Sequence, residues 1–264
     1  MPDYAPGTPS WVDLGSPDVD ASIRFYGDLF GWSASDPGPP EAGGYRFFEQ
    51  DGKMVAGLGP LMMEGQPPAW LNYVTVADAD ASAAKARDAG GRVHVDPMDV
   101  LDVGRMAVIA DPTGAAFGIW QPRRHTGAEI VNQPVSLSWN ELNTRDTEAA
   151  KPFYEAVFGW QGDTAQMGDV EYTTWQLGDK PVGGMTAISD QVPANVPAHW
   201  LAYFAVEDCD ATVAKAHESG ANLRFGPVDI PAGRFGAHRP ARRDLRRGQD
   251  VATRTRLPRR FTCA

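Results

Sequence analysis

The sequence predicts an α+β chain of two tandem domains, each made of paired βαβββ modules that curl one mixed sheet into a cup. Three observations carry this. The stretch Trp11–Trp32, W-V-D-L-G-S-P-D-V-D-A-S-I-R-F-Y-G-D-L-F-G-W, returns at Trp139–Trp160 as W-N-E-L-N-T-R-D-T-E-A-A-K-P-F-Y-E-A-V-F-G-W. Trp11, Asp18, Phe25, Tyr26, Phe30, Gly31 and Trp32 recur at a constant offset of 128 as Trp139, Asp146, Phe153, Tyr154, Phe158, Gly159 and Trp160. Within each copy, a strand, a helix and a run of short strands follow one another twice.

The elements read in order. Residues 10 to 16 alternate as a half-buried strand, with Trp11 and Asp13 on one face and Val12 and Leu14 on the other. Asp18 or Asp20 caps a helix whose apolar residues Ile23, Phe25, Tyr26, Leu29 and Phe30 recur at helical spacing, and Gly31 ends it. Those aromatics, with Trp32, are read as core where helix meets sheet. Tyr45–Gln50 and Val55–Leu61 are strands around the turn Asp51-Gly52. The second module is Trp70–Val76, a helix Ala79–Ala89 ended by Gly90-Gly91, then Arg92–Val95, Arg105–Ala110 and Ala115–Trp120. The turn Asp111-Pro112-Thr113-Gly114 joins the last two strands. Residues 8–122 form the first domain, 123–134 a polar linker and 135–235 the second domain. There Tyr172, Lys180, Val182 and Gly184 repeat Tyr45, Lys53, Val55 and Gly57, and Trp200, Leu201 and Tyr203 repeat Trp70, Leu71 and Tyr73.

After Phe235 the repeat stops. Residues 236–264 hold nine Arg against two Asp, which leaves a net charge of about −17 on the rest of the chain. Codons for G-A-H-R-P-A-R-R-D-L-R-R-G-Q-D exist that, read one base later, encode A-P-T-D-P-P-G-A-T-F-G-V-V-R, nearly the missing hairpin. The tail is therefore read as out of frame, and the second domain as truncated, without its closing strands. The acidic body argues against a nucleic-acid partner. No apolar run nears the ~20 residues of a membrane span, and no leader segment is read at the start. Two cysteines, Cys209 and Cys263, fit a reducing compartment, so a cytoplasmic protein is expected.

Paired βαβββ modules with D-x-x-x-S-x-x-F-Y and D-P-x-G-x-x-x-G resemble the vicinal oxygen chelate superfamily, which includes glyoxalases, bleomycin resistance proteins and extradiol dioxygenases. The tandem arrangement with F-G-W after the first helix resembles an actinobacterial subgroup with members in antibiotic pathways, among them accessory proteins of anthracycline hydroxylation. The resemblance implies a divalent metal held at three places, which fall here on Trp11, Leu71 and Gly118, with Trp139 and Leu201 at the two readable places of the second domain. None of these side chains can ligate a metal, so no metal or other cofactor is expected. His94, His217, His125 in the linker and His238 in the tail do not restore a site; Glu141 with His199 is the weak remaining metal candidate.

What the cups offer instead is aromatic. Trp11, Asp13, Leu71, Tyr73, Gly118 and Trp120 share the concave face of the first sheet, and Trp139, Glu141, Leu201 and Tyr203 that of the second. These aromatics either fill the sheet or stack on a flat ligand. Asp13 and Glu141 occupy one repeat position; they are read as a hydrogen-bond acceptor or general base, or as structural partners of Arg105 and Arg234. The function expected is metal-independent binding of a hydrophobic aromatic small molecule in antibiotic biosynthesis or self-resistance, assisting a partner oxygenase or sequestering product. The alternative is an enzyme using Asp13 or Glu141.

Overall fold

The computed structural model describes residues 2–62, 65–230, 233–239 and 251–255. The first module of domain one is β1 (Pro9–Ser16), α1 (Val19–Phe30), β2 (Ser33–Ala34), β3 (Arg46–Gln50) and β4 (Lys53–Pro60). The second is β5 (Ala69–Thr75), α2 (Ala79–Asp88), β6 (Arg92–Val100), β7 (Gly104–Ala110) and β8 (Ala116–Pro122). Domain two repeats the order as β9 (Leu137–Thr144), α3 (Thr147–Phe158), β10 (Gln161–Met167), β11 (Val170–Leu177) and β12 (Lys180–Ala187), then β13 (His199–Val206), α4 (Cys209–Glu218), β14 (Asn222–Ile230), β15 (Gly233–Arg239) and β16 (Val251–Thr255). Among the described residues, no helix is long and apolar enough to cross a membrane.

Each α1-type helix begins where the repeated Asp can cap it. Asp18 and Asp146 accept from the backbone N–H of Ala21 and Ala149, while Gly31 and Gly159 end the helices in the left-handed region at φ 75° and 72°. The sheets follow the orders β2-β3-β4-β1-β5-β8-β7-β6 and β10-β11-β12-β9-β13-β16-β15-β14. The two modules of each domain meet at the central antiparallel pairs, β1 with β5 and β9 with β13.

The helix-side faces do not pack within one domain alone. Phe30, Trp32 and Trp70 of domain one meet Phe204 of domain two at ring separations of 5.6, 5.3 and 5.1 Å. Reciprocally, Phe117 meets Phe153, Tyr154 and Phe158 at 6.1, 5.7 and 5.7 Å. Thus the first module of each domain shares a core with the second module of the other. Trp32 and Trp160 add indole hydrogen bonds to the carbonyls of Val135 and Gly7. The F-G-W repeat, expected as core where helix meets sheet, is also the interdomain core.

Three expectations change. β6 continues past Val95 to Val100 because its register slips twice, which lets the edge strand pass Pro97. The linker, expected as a polar connection, is packed: Ala128 and Ile130 are buried, and the Ala128 and Glu129 amides donate to the Ser10 and Met54 carbonyls of domain one. The closing strands expected to be missing are present: β15 runs past Phe235 to Arg239, and β16, V-A-T-R-T, pairs in parallel with β13 as β8 does with β5. A backbone ladder needs only an extended, β-branched run, and this segment provides one. The rest of the predicted tail, 240–250 and 256–264, lies outside the described residues.

One hydroxyl marks what the tail does not repeat. Tyr154 accepts a hydrogen bond from the Trp200 indole at 2.8 Å and donates to Asp111 Oδ2 across the domain boundary at 2.9 Å. Its counterpart Tyr26 accepts from the Trp70 indole at 3.0 Å, but among the described residues no carboxylate receives its proton. Asp111 opens the D-P-T-G turn that the second domain's sequence fails to repeat. Tyr154→Phe is expected to cost about 1–3 kcal/mol in denaturant unfolding and Tyr26→Phe clearly less. A chain rebuilt with the one-base-shifted reading after Phe235 should gain stability and lose that difference; an unchanged midpoint would leave the present frame as the native one.

Candidate functional site

The central strand pairs set the cups. In β1 and β5, Trp11 lies opposite Tyr73 and Asp13 opposite Leu71, and on β8 Gly118 pairs with Tyr73. Trp11, Tyr73 and Trp120 form a buried cluster bordered by Phe47, Met54 and Leu71. In domain two, Leu201 and Tyr203 are buried, with Trp139 and Phe235 partly exposed beside them.

Within each cup the same four side chains are linked. The Trp11 indole donates to the Tyr45 hydroxyl at 3.0 Å, Tyr45 donates to Asp13 Oδ2 at 3.2 Å, and Tyr73 also hydrogen-bonds Asp13. In domain two, Trp139 donates to Tyr172 at 2.8 Å, while Tyr172 and Tyr203 donate to the two oxygens of Glu141 at 3.0 and 2.8 Å. Burial pushes the Asp13 carboxyl up to about 6 and raises that of Glu141, and in both the tyrosine hydrogen bonds oppose the rise. Gly57 and Gly184 make room for the phenols: a Cβ there would stand 1.8 and 1.9 Å from the Tyr45 and Tyr172 hydroxyls.

The predicted alternative partners of the acids are engaged elsewhere. Arg105 bonds Asp80 and Asp99, and Arg234 bonds Asp210 and Asp229, on the exposed outer side. Asp13 and Glu141 serve the tyrosines instead. Their partners Tyr45 and Tyr172 were matched as repeats but not as site residues; the Tyr–Gly spacing, Tyr45 with Gly57 and Tyr172 with Gly184, was the available signal.

His125 is a third residue that sequence reasoning did not place in the site. It lies in the first cup, not free in a linker, with its ring 4.5 Å from Trp11 in an edge contact and 5.5 Å from Trp120. The Trp120 indole donates to the His125 carbonyl at 2.8 Å, and the His125 amide bonds to Val103. The imidazole is 8% exposed, neither nitrogen has a hydrogen-bond partner among the described residues, and burial pushes its pKa down to about 4. A neutral ring of the chain itself thus occupies the aromatic wall. A linker placement gave no hint of this, because the chain doubles back across its own sheet.

This architecture and these cups have relatives. Residues 8–119 and 136–244 match the Glyoxalase/Bleomycin resistance protein/Dioxygenase superfamily. The chain belongs to that superfamily. It is 43% identical over 248 residues to the anthracycline biosynthesis protein DnrV of Streptomyces peucetius, covering 89% of this chain and 90% of that one. It is also 43% identical over 239 residues to CFP32 of Mycobacterium bovis, covering 88% and 90%. Among solved structures, the Mn(II)-bound glyoxalase of Novosphingobium aromaticivorans shares the fold, with a TM-score of 0.64 at 16% identity over 96% of this chain and 83% of that one.

The superfamily implies a metal, and these residues do not fit one. Trp11 and Leu71 offer no lone pair, and a Cβ on Gly118 would lie 2.2 Å from the Tyr73 ring, which already fills that place. Glu141 and His199 gain no third ligand: among the described residues no group of three His, Cys, Asp or Glu side chains converges. His199 Nδ1 lies 2.9 Å from the Pro197 carbonyl, and the Glu141 oxygens hold two phenols.

The pH behaviour of Asp13 follows from its burial. Its folded-state pKa of about 6 stands above the ordinary 3.8, so the fold favours the protonated acid. That contribution is fully present below the ordinary value and is lost as pH rises through about 6. Unfolding of the wild type and Asp13→Asn from pH 7 to pH 4 should therefore show the wild type gaining on the variant as pH falls. A constant difference would contradict the buried placement.

Proposed function

We propose that this protein binds a hydrophobic aromatic small molecule without a metal, in the cytoplasm, in the making of an aromatic polyketide antibiotic or in protection from it. The single observation that carries the reading is the occupied first cup. A wall of Trp11, Tyr73 and Trp120 already has a flat neutral ring, that of His125, against Trp11 and Trp120. Trp11, Asp13, Leu71, Tyr73 and Trp120 make the first wall in this reading, and Trp139, Glu141, Leu201 and Tyr203 the second. The acids hold the tyrosine hydroxyls, so the phenol rings face the cup as rigid surfaces at low entropic cost. The resemblance to an anthracycline biosynthesis protein over nine-tenths of both chains supports the ligand class. Assisting a partner oxygenase, by holding its product, belongs to the same reading.

A second reading has one observation in its favour. A carboxyl titrating near 6 is suited to general acid–base work, which would make Asp13 a catalytic residue of an enzyme acting on a small organic substrate. Turnover that follows this titration and vanishes in Asp13→Asn would favour it.

Calorimetric titration with an anthracycline tests the binding reading. Micromolar affinity corresponds to about 8 kcal/mol, most of it from burial and stacking. Trp139→Ala, and Trp11→Ala or Trp120→Ala in the first cup, should weaken binding by about tenfold where the ligand sits against that ring. Wild-type affinity in all three variants would remove the cups from the account.

A further inference from the structure

We propose that His125 is a built-in occupant of the first cup, which closes that cup and leaves the second as the one that takes the aromatic ligand. This rests on the aromatic-binding reading above and assigns the ligand to one of its two walls.

Three strands of domain one grip the imidazole. Trp11 on β1, Phe47 on β3 and Trp120 on β8 stand 4.5, 5.6 and 5.5 Å from it, ring centre to ring centre. Rings pack favourably at these separations. The side chain is buried, and neither nitrogen has a hydrogen-bond partner among the described residues. Two such nitrogens forfeit the hydrogen bonds they make in water, so ring contacts hold the side chain here. Both nitrogens are covered, so the imidazole fills its place and is not aimed at a further ligand.

The backbone on either side fixes it. Before it, the Arg123 and His125 amides donate to the Val103 carbonyl, and the Trp120 indole donates to the carbonyl of His125 itself at 2.8 Å. After it, the Ala128 and Glu129 amides donate to the carbonyls of Ser10 and Met54. The Glu129 carboxylate accepts from the Met54 amide at 2.7 Å, and the Tyr4 hydroxyl donates to the Ala128 carbonyl at 2.7 Å. Lifting the segment would break bonds on both sides and leave the buried Trp120 indole without its acceptor. A ligand ring entering the first cup has to displace the imidazole against these ties.

The second cup is built for no such occupant. Trp139, the counterpart of Trp11, is half-buried where Trp11 is 4% exposed, and among the described residues no ring packs on it. Thr174 pairs with Gly184 where Phe47 pairs with Gly57, so one of the three gripping rings has no counterpart. The Tyr172 hydroxyl still fixes the Trp139 indole at 2.8 Å. The second domain thus holds the same kind of flat face in place and leaves it uncovered.

Calorimetry with 9-anthracenemethanol on the full chain should give one molecule bound per chain, weakened about tenfold by Trp139→Ala. His125→Gly should open a place the shape of the lost side chain. At fixed pH, 4-methylimidazole should then raise the Tm of that variant by about 5 °C, with no rise in the wild type or in His125→Phe, which keeps a ring. Two molecules per wild-type chain, or full affinity in Trp139→Ala, would overturn the proposal while the aromatic-binding reading stands. A folded His125→Gly chain indifferent to 4-methylimidazole would do the same; if that variant does not fold, the count and Trp139→Ala still decide. Binding of 9-anthracenemethanol by no form of the chain would overturn both.

Discussion

A buried carboxyl held between two phenols is the interaction on which the cups depend. Asp13 and Glu141 stand on the central strand of each sheet, and each receives one tyrosine from its own module and another from the second module of the same domain. A lone buried carboxylate would be costly, and so would two buried phenols without acceptors. Together they satisfy one another, and the tryptophan indoles donate into the same network. The glycines at positions 57 and 184 are the steric counterpart, because any side chain there would strike the phenol. The network converts what the superfamily uses as a metal floor into a fixed aromatic one.

The interdomain core places these floors. Because Phe204 packs among the rings of domain one and Phe117 among those of domain two, neither domain completes its helix-side core alone. The concave faces are thereby left for the cups. The linker then crosses the first cup and inserts His125, whose imidazole burial keeps neutral. The two halves of the chain share one design and differ in what reaches the cup.

Much of this was legible in the sequence, for physical reasons. The Trp–Asp–Phe-Tyr–Phe-Gly-Trp repeat fixes helix caps, helix ends and core positions, since each residue type serves a local rule that no neighbour overrides. The alternation of β1 and β5 likewise placed Trp11, Asp13, Leu71 and Tyr73 on one face. What escaped was long-range. Tyr45 reaches Asp13 across the sheet, His125 arrives from a segment with no periodicity, and Arg105 turns outward to Asp80 because a charged fork finds solvent and carboxylates there. β6 outran its predicted end because a bulged edge strand tolerates a proline that a central strand would not.

The account stands most directly on the claim that hydrocarbon, indole and glycine at the chelating positions leave a binder in place of a metalloprotein. Metal content of the purified, chelator-treated protein by plasma mass spectrometry, after growth with zinc, iron and manganese supplied, tests it. The account predicts bound metal far below one ion per chain in a protein that still binds its aromatic ligand. Close to one zinc, iron or manganese ion per chain would contradict it, and would direct attention to Glu141 and His199.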